Sequence, residues 1–280
     1  MLEKVGLDHP AEKVDKSIGR KEEFEMVSNK YPEYPRTFLI ETDCLRRGFK
    51  LTEEACDRFQ DPEFREVHDI SPRMQFQWHG EDQSIDIPPV IYFNDGTQFA
   101  IRLNPPEKNP YTLHFEDSKL WVMSDDEKME EAYVPHRSHW YYKETSSGWP
   151  MQNILSNIGF GDAFCCPYAY CHYWNTGDQC KFCDIVYNTK HNLKMGKKFR
   201  TRVLPEDLYE TICEWLKGKP GYARSMFING GTDPREDFQR SFQYYLDMIK
   251  AIIKAGKDTI GKDFIVPVHL LDHPYGKDRL

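Results

Sequence analysis

The chain has 280 residues, 29% charged and 39% hydrophobic, which suits a globular protein with one large domain and an appendage. Its formal charge of −8 argues against a nucleic-acid-binding surface, and no apolar run approaches the roughly 20 residues that span a bilayer. The opening MLEKVGLDHPAEKVDKSIGRKEEFE is charged throughout with no signal-peptide core, so the reading is a cytoplasmic chain whose thiols are reduced.

Residues 1 to about 35 read as a polar, helix-prone arm without an apolar face. A small helical pair is predicted next. Gly48 ends its first segment, Thr52 caps its second, and Glu53 and Glu54 occupy the first turn. Cys44 and Cys56 read as packing residues there. After Pro88 the pattern becomes β-rich. VIYF and TQFAIRL are joined by Asn94-Asp95-Gly96, and YTLHF and KLWVM by Glu116-Asp117-Ser118, which predicts a meander of about four strands over residues 86–124. SDDEKMEEA reads as a solvated acidic linker or exposed helix, and the turn-rich stretch 135–150 as a boundary between domains 1–150 and 151–280.

From Met151 strands and helices alternate. NILSNIGF reads as a first strand, ARSMFINGG as a second and FIVPVHLL as a third. Between them, Pro205 opens a helix with Leu208, Ile212, Trp215 and Leu216 on one stripe, and Cys213 beside it as a packing residue. A longer helix before Gly256 carries Phe238, Phe242, Tyr245, Ile249 and Ile252 on one face. The alternation implies βαβ units and a parallel sheet.

Five of the eight cysteines fall within CCPYAYCHYWNTGDQCKFC, residues 165–183. Cys180-Lys181-Phe182-Cys183 is a C-x-x-C unit that aims two thiolates at one ion or cluster. Alone it is open between zinc, redox and iron–sulfur chemistry, and Cys166, Cys171, His172 and His191 supply candidate partners for a zinc site. Three cysteines immediately upstream argue against a simple redox pair. The loop is predicted to follow one strand of the parallel unit, and Asn229-Gly230-Gly231-Thr232 to follow the next, so both face the carboxyl edge where ligands collect. Adjacent glycines there admit a close backbone approach.

These two segments resemble the radical S-adenosylmethionine superfamily. CKFC is similar to the end of its C-x-x-x-C-x-aromatic-C loop, with Phe182 in the aromatic slot, and NGGT to its glycine motif at the second strand end. The resemblance covers roughly residues 151–271 and implies an α/β fold: a partial (β/α) barrel preceded by the helical segment and the β-meander. It implies that Cys171, Cys180 and Cys183 hold a [4Fe–4S] cluster, and that Gly230, Gly231 and Thr232 contact the amino group of S-adenosylmethionine. Reductive cleavage would give methionine and a 5′-deoxyadenosyl radical that acts on an unidentified substrate, with flavodoxin or ferredoxin as electron donor.

Two departures stand out. Eight residues, HYWNTGDQ, separate Cys171 from Cys180 where three are usual, which leaves Cys166 and Cys165 as alternatives to Cys171. Thr232 stands where glutamate is commonest, and His172 reads as a neighbour of the ligands or a packing residue. A family barrel has six β/α units and this chain offers about three strands from Met151 on. Truncation, completion by a second chain and closure by N-terminal strands all answer that count. The competing function is a structural zinc module in which Cys166, Cys171, Cys180 and Cys183 form a closed four-thiolate site.

Overall fold

The computed structural model describes residues 19–78, 81–104, 109–159, 161–181, 183, 185–194, 196, 198, 200–218, 225–232 and 238–270. The chain is mixed α/β and falls into two compact units: 1–56, 92–97 and 102–133 form one, and 57–91, 98–101 and 134–280 the other. Among the described residues no helix is long and apolar enough to cross a membrane.

In chain order the first elements are α1 (Arg20–Lys30), α2 (Arg36–Arg47), β1 (Phe49–Leu51), α3 (Glu53–Gln60) and α4 (Pro62–Val67). Gly48 ends α2 at φ +74°, and the Thr52 hydroxyl accepts from Ala55 N–H at 3.3 Å, as the capping pattern predicts. Cys44 is buried. The β-rich region supplies β2 (Ser71–Trp78), β3 (Glu81–Ile87), β4 (Val90–Phe93), β5 (Gln98–Ala100), β6 (Tyr111–Glu116), β7 (Lys119–Ser124) and β8 (Glu127–Tyr133). The four expected strands, β4 to β7, are present, but the expected meander is corrected: β8 lies between β7 and β4, so β5 and β6 are not neighbours. Strand β1 joins the last five of these strands in a six-stranded sheet, curled as half a barrel, in the order β1-β6-β7-β8-β4-β5, while β2 and β3 pair separately.

The acidic run expected as a linker is strand β8. Its charge hides an apolar pair, Met129 and Ala132, both buried. A bulge between Val122 and Met123 shifts the alternation, so these two do not fall at even spacing. Cross-strand ion pairs Lys119–Glu131 (2.7 Å) and Lys128–Glu116 occupy the solvent side.

The second unit carries β9 (Ser156–Gly159), β10 (Asp162–Cys165), α5 (Tyr173–Thr176), α6 (Ile185–Lys194), α7 (Pro205–Leu216), β11 (Ser225–Ile228), α8 (Phe238–Thr259) and β12 (Val268–Leu270). They build a four-stranded sheet in the order β12-β11-β10-β9. Strands β10, β11 and β12 run parallel. The expected first parallel strand, NILSNIGF, is corrected: its strand portion is β9, which pairs antiparallel with β10 through a turn with Gly161 at φ +77°. The strand that leads into the cysteine loop is β10, and Cys165 is its last residue. The third strand begins only after Pro267, which has no N–H to give a ladder.

One face of this sheet, with Ala163, Cys165, Met226 and Ile228, shares a core with Leu208 and Ile212 of α7 and Met248 and Ile252 of α8. The stripe predicted for α7 is buried throughout. That of α8 is rotated: Tyr245, Met248, Ile252 and Ala255 are buried, while Phe242 is 54% exposed. Trp140, Tyr141 and Met151, from the stretch around the expected boundary, belong to the same core. On the opposite face Phe164, Phe227 and His269 lie side by side in register, with the Phe227 and His269 rings stacked at 4.7 Å.

Candidate functional site

Because β10 and β11 are parallel, the cysteine loop and the glycine pair leave the sheet at one edge. Backbone hydrogen bonds then join them directly. Asn229 N–H donates to Cys165 O (3.2 Å), Gly231 N–H to Tyr168 O (2.7 Å) and His172 N–H to Thr232 O (2.8 Å). The closeness depends on glycine. A Cβ on Gly231 would stand 1.7 Å from Tyr170 O and 2.8 Å from Cys171 Cβ, and one on Gly230 would stand 2.9 Å from Tyr168 O. What the glycine pair admits is thus the backbone of Tyr168–Cys171, and Cys171 abuts Gly231.

The other side of this loop is held as firmly. Residues 167–169 pair with 201–203, through Ala169 N–H to Thr201 O and Val203 N–H to Pro167 O, both 2.8 Å. The Tyr244 hydroxyl of α8 lies within donating distance of Pro167 O (2.7 Å) and Val203 O (2.8 Å). The Arg202 guanidinium covers the Tyr168 ring at 4.7 Å and the Tyr244 ring at 5.3 Å. Further along, the Asp207 carboxylate accepts from Thr145 (2.7 Å), Ser147 (2.6 Å) and Arg200. Burial alone would raise the Asp207 pKa; these three donors outweigh it and hold the carboxyl below its ordinary range.

The five loop cysteines occupy different environments. Cys165 is fully buried in the helix-side core. Burial pushes its thiol well above the ordinary value, with neighbouring Cys166 adding to the rise and Arg200 opposing it. A thiol that resists ionisation there is a poor ligand, so Cys165 reads as a core residue. The Cys166 thiol points to Tyr168 O at 3.7 Å. Cys171 and Cys183 are half-buried and Cys180 is exposed. Cys180 and Cys183 share one tight turn, closed by Cys183 N–H to Cys180 O at 3.0 Å. The indole N–H of Trp174 donates to the Cys183 sulfur at 3.3 Å. Phe182 lies outside the described residues, as does the His191 side chain.

Iron–sulfur clusters and zinc both take soft thiolates, and the accessible thiols of Cys171, Cys180 and Cys183 fit either by donor chemistry. Two buried polar atoms of the same loop, His172 Nδ1 and Gln179 Oε1, have no hydrogen-bond partner among the described residues. A buried orphan of this kind costs about 1–3 kcal/mol. The thiols themselves stand apart: among the described residues no three His, Cys, Asp or Glu side chains come together as a metal site.

Sequence reasoning paired the cysteine loop with the glycine pair, and the structure brings Cys171, His172, Gly231 and Thr232 together. It missed Arg202, Tyr244 and Trp174. Of these, only Trp174 carried a signal: a large donor-bearing side chain inside the unusual spacer. No protein-family profile, no curated protein and no solved structure matches this chain.

Proposed function

We propose that the protein is a radical S-adenosylmethionine enzyme of cytoplasmic location, with Cys171, Cys180 and Cys183 as the three ligands of a [4Fe–4S] cluster. The observation that carries this reading is the junction of the two motifs: Cys171 lies against Gly231, and His172 N–H bonds to Thr232 O at 2.8 Å. A ligand thiolate and a strand-end backbone that contacts S-adenosylmethionine must lie side by side in such an enzyme. Here glycine alone makes that possible. Cys180 and Cys183 already share one turn, and binding a cluster would require that turn and Cys171 to be drawn together, because the three thiols do not meet as a metal site among the described residues.

Three thiolates leave one iron open, in the way a catalytic metal site keeps a free position. The cluster, when bound, supplies the electron that splits S-adenosylmethionine into methionine and a 5′-deoxyadenosyl radical. The chain's own residues do the rest. The strand-end groups of Gly230, Gly231 and Thr232 would orient the methionine moiety, and Phe182 is the residue that the resemblance assigns to the aromatic slot between the last two cysteines. Tyr244, Arg202 and the 201–203 segment keep the first half of the loop rigid against the sheet. The partner this reading requires is a one-electron donor such as flavodoxin or ferredoxin; a second chain that completes the barrel is one of the three answers to the strand count given above. The test is product formation. The anaerobically reconstituted chain with dithionite and S-adenosylmethionine should release methionine and 5′-deoxyadenosine in equal amounts, and Cys183→Ala should release neither. A cluster-loaded chain that leaves S-adenosylmethionine intact refutes the proposal.

A further inference from the structure

Residues 67–69 and 135–137 lie side by side as a short antiparallel ladder, with His68 opposite His136. Asp69 N–H donates to Pro135 O and Arg137 N–H to Val67 O, both at 2.9 Å. Those bonds flank the histidine pair instead of joining it, the arrangement in which facing side chains come closest. The two imidazole rings accordingly stack, with centroids 4.6 Å apart at 25°. His68 is half-buried and His136 is exposed. Phe64 of α4 stacks on the His68 ring at 3.8 Å and 15°, and the Arg58 guanidinium of α3 lies over the Phe64 ring at 4.6 Å. Arg137 donates to His68 O at 2.9 Å and to Ile70 O at 3.4 Å. His68 Nδ1 lies 2.9 Å from Phe64 O. A carbonyl only accepts, so Nδ1 carries the hydrogen and Nε2 is the atom left to take a proton.

We propose that the opposed pair His68–His136 is an acid-sensitive latch, in which proton uptake by His68 opens the ladder between residues 67–69 and 135–137. The latch does not depend on the function proposed above. Uncharged, the pair is two aromatic rings in contact. Protonated, it is a pair of like charges directly opposite each other, which destabilises a cross-strand pair. The other charged groups around it are Arg58, Arg137 and three acids. Asp61 is taken up by Arg58 at 2.6 Å, and Glu66 and Asp69 flank His68 in the chain. Burial is the main cause that holds the His68 pKa below its ordinary value. His136 and Arg58 add to the depression, and the Phe64 carbonyl opposes it. A base depressed in the folded state takes up its proton on opening. The latch is therefore at full strength above the unfolded histidine value near 6.5 and weakens as pH falls below it. What it holds is the start of the segment that carries Trp140 and Tyr141 into the core and brings Thr145 and Ser147 to Asp207.

Hydrogen exchange of the full chain from about pH 7.5 down to about pH 5.5, corrected for the intrinsic exchange rate, tests the latch across the range in which histidine titrates. Protection of the Asp69 and Arg137 amides should fall below about pH 6.5 by up to about tenfold per pH unit, the limit for one proton taken up on opening. His136→Phe keeps a ring for His68 to stack on and cannot be charged, so its protection at both amides should fall less over the same range. His136→Gln, also uncharged, should behave in the same way without the ring. A flat wild type, or losses in both variants equal to the wild type's, overturns the proposal. A second measurement reads the pairing itself. In an NMR titration the His68 ring signal, identified by its loss in His68→Gln, should have its midpoint raised in His136→Phe, because the charge that faces it is gone. A His68 midpoint indifferent to His136 overturns the latch even if the ladder opens in acid.

Discussion

Gly231→Ala is the substitution that bears most on the junction between the two motifs. Its new methyl would sit 1.7 Å from Tyr170 O and 2.4 Å from Tyr170 C, both backbone atoms that no rotamer change removes. Relief to ordinary contact requires the loop to separate from the strand end by roughly 1.5 Å. A separation of that size breaks the Gly231 N–H to Tyr168 O and His172 N–H to Thr232 O bonds. Two backbone bonds are worth about 1 kcal/mol each, and the residual overpacking about 1–3 kcal/mol, for a total cost of about 3–5 kcal/mol. Gly96→Ala is the control: nothing lies within 4 Å of its added Cβ, and only its φ of +90° opposes the change, at about 1–2 kcal/mol. Urea unfolding of the cluster-free chain should rank Gly231→Ala well below Gly96→Ala. Hydrogen exchange should quicken across residues 165–172 in Gly231→Ala alone. Equal costs for the two variants, with exchange across that segment unchanged, would refute the view that glycine is what lets these segments meet.

Asp207→Asn should cost about 3 kcal/mol, because it leaves the Arg200 charge without its carboxylate beside a buried site. The Asp207 folded pKa is depressed, so its contribution is present above the unfolded carboxylate value near 3.9 and is lost as pH falls through the folded one. Wild-type stability should fall more steeply than that of Asp207→Asn below about pH 4 in acid titrations followed by circular dichroism. Among the loop cysteines, Cys171→Ala, Cys180→Ala and Cys183→Ala should each abolish the visible absorption of the reconstituted cluster. Cys165→Ala should retain it while lowering thermal stability, since Cys165 packs in the core. Cluster loss in Cys166→Ala with retention in Cys171→Ala would reassign the first ligand.

Much of the α/β layout is legible in the chain. Pro205 marks the start of α7, the apolar stripe of that helix is the one that is buried, and the Asn94-Asp95-Gly96 and Glu116-Asp117-Ser118 turns fall where strands reverse. Three features resist reading for physical reasons. Strand β10 is short and ends in Cys165, so its last residue looks like the start of a metal loop although its thiol faces the core. Strand β8 conceals two inward residues among acids, and a bulge disturbs their period. On α8 several candidate apolar faces overlap, and packing against the sheet selects the one through Met248 and Ala255. At the site, a glycine pair announces a close backbone approach but not what approaches. That the visitor is Tyr168–Cys171, and that α5 turns Trp174 onto Cys183, depends on loop geometry that no periodicity encodes.

The cysteine loop is proposed to hold a cluster that binds S-adenosylmethionine. The most direct measurement is EPR of the full chain, reconstituted anaerobically with iron and sulfide and reduced with dithionite, before and after addition of S-adenosylmethionine. The expected result is a brown protein whose reduced-cluster signal changes on addition, with the change lost in Gly231→Ala. A chain that instead retains one zinc and takes up no cluster, or a cluster whose signal ignores S-adenosylmethionine, contradicts it.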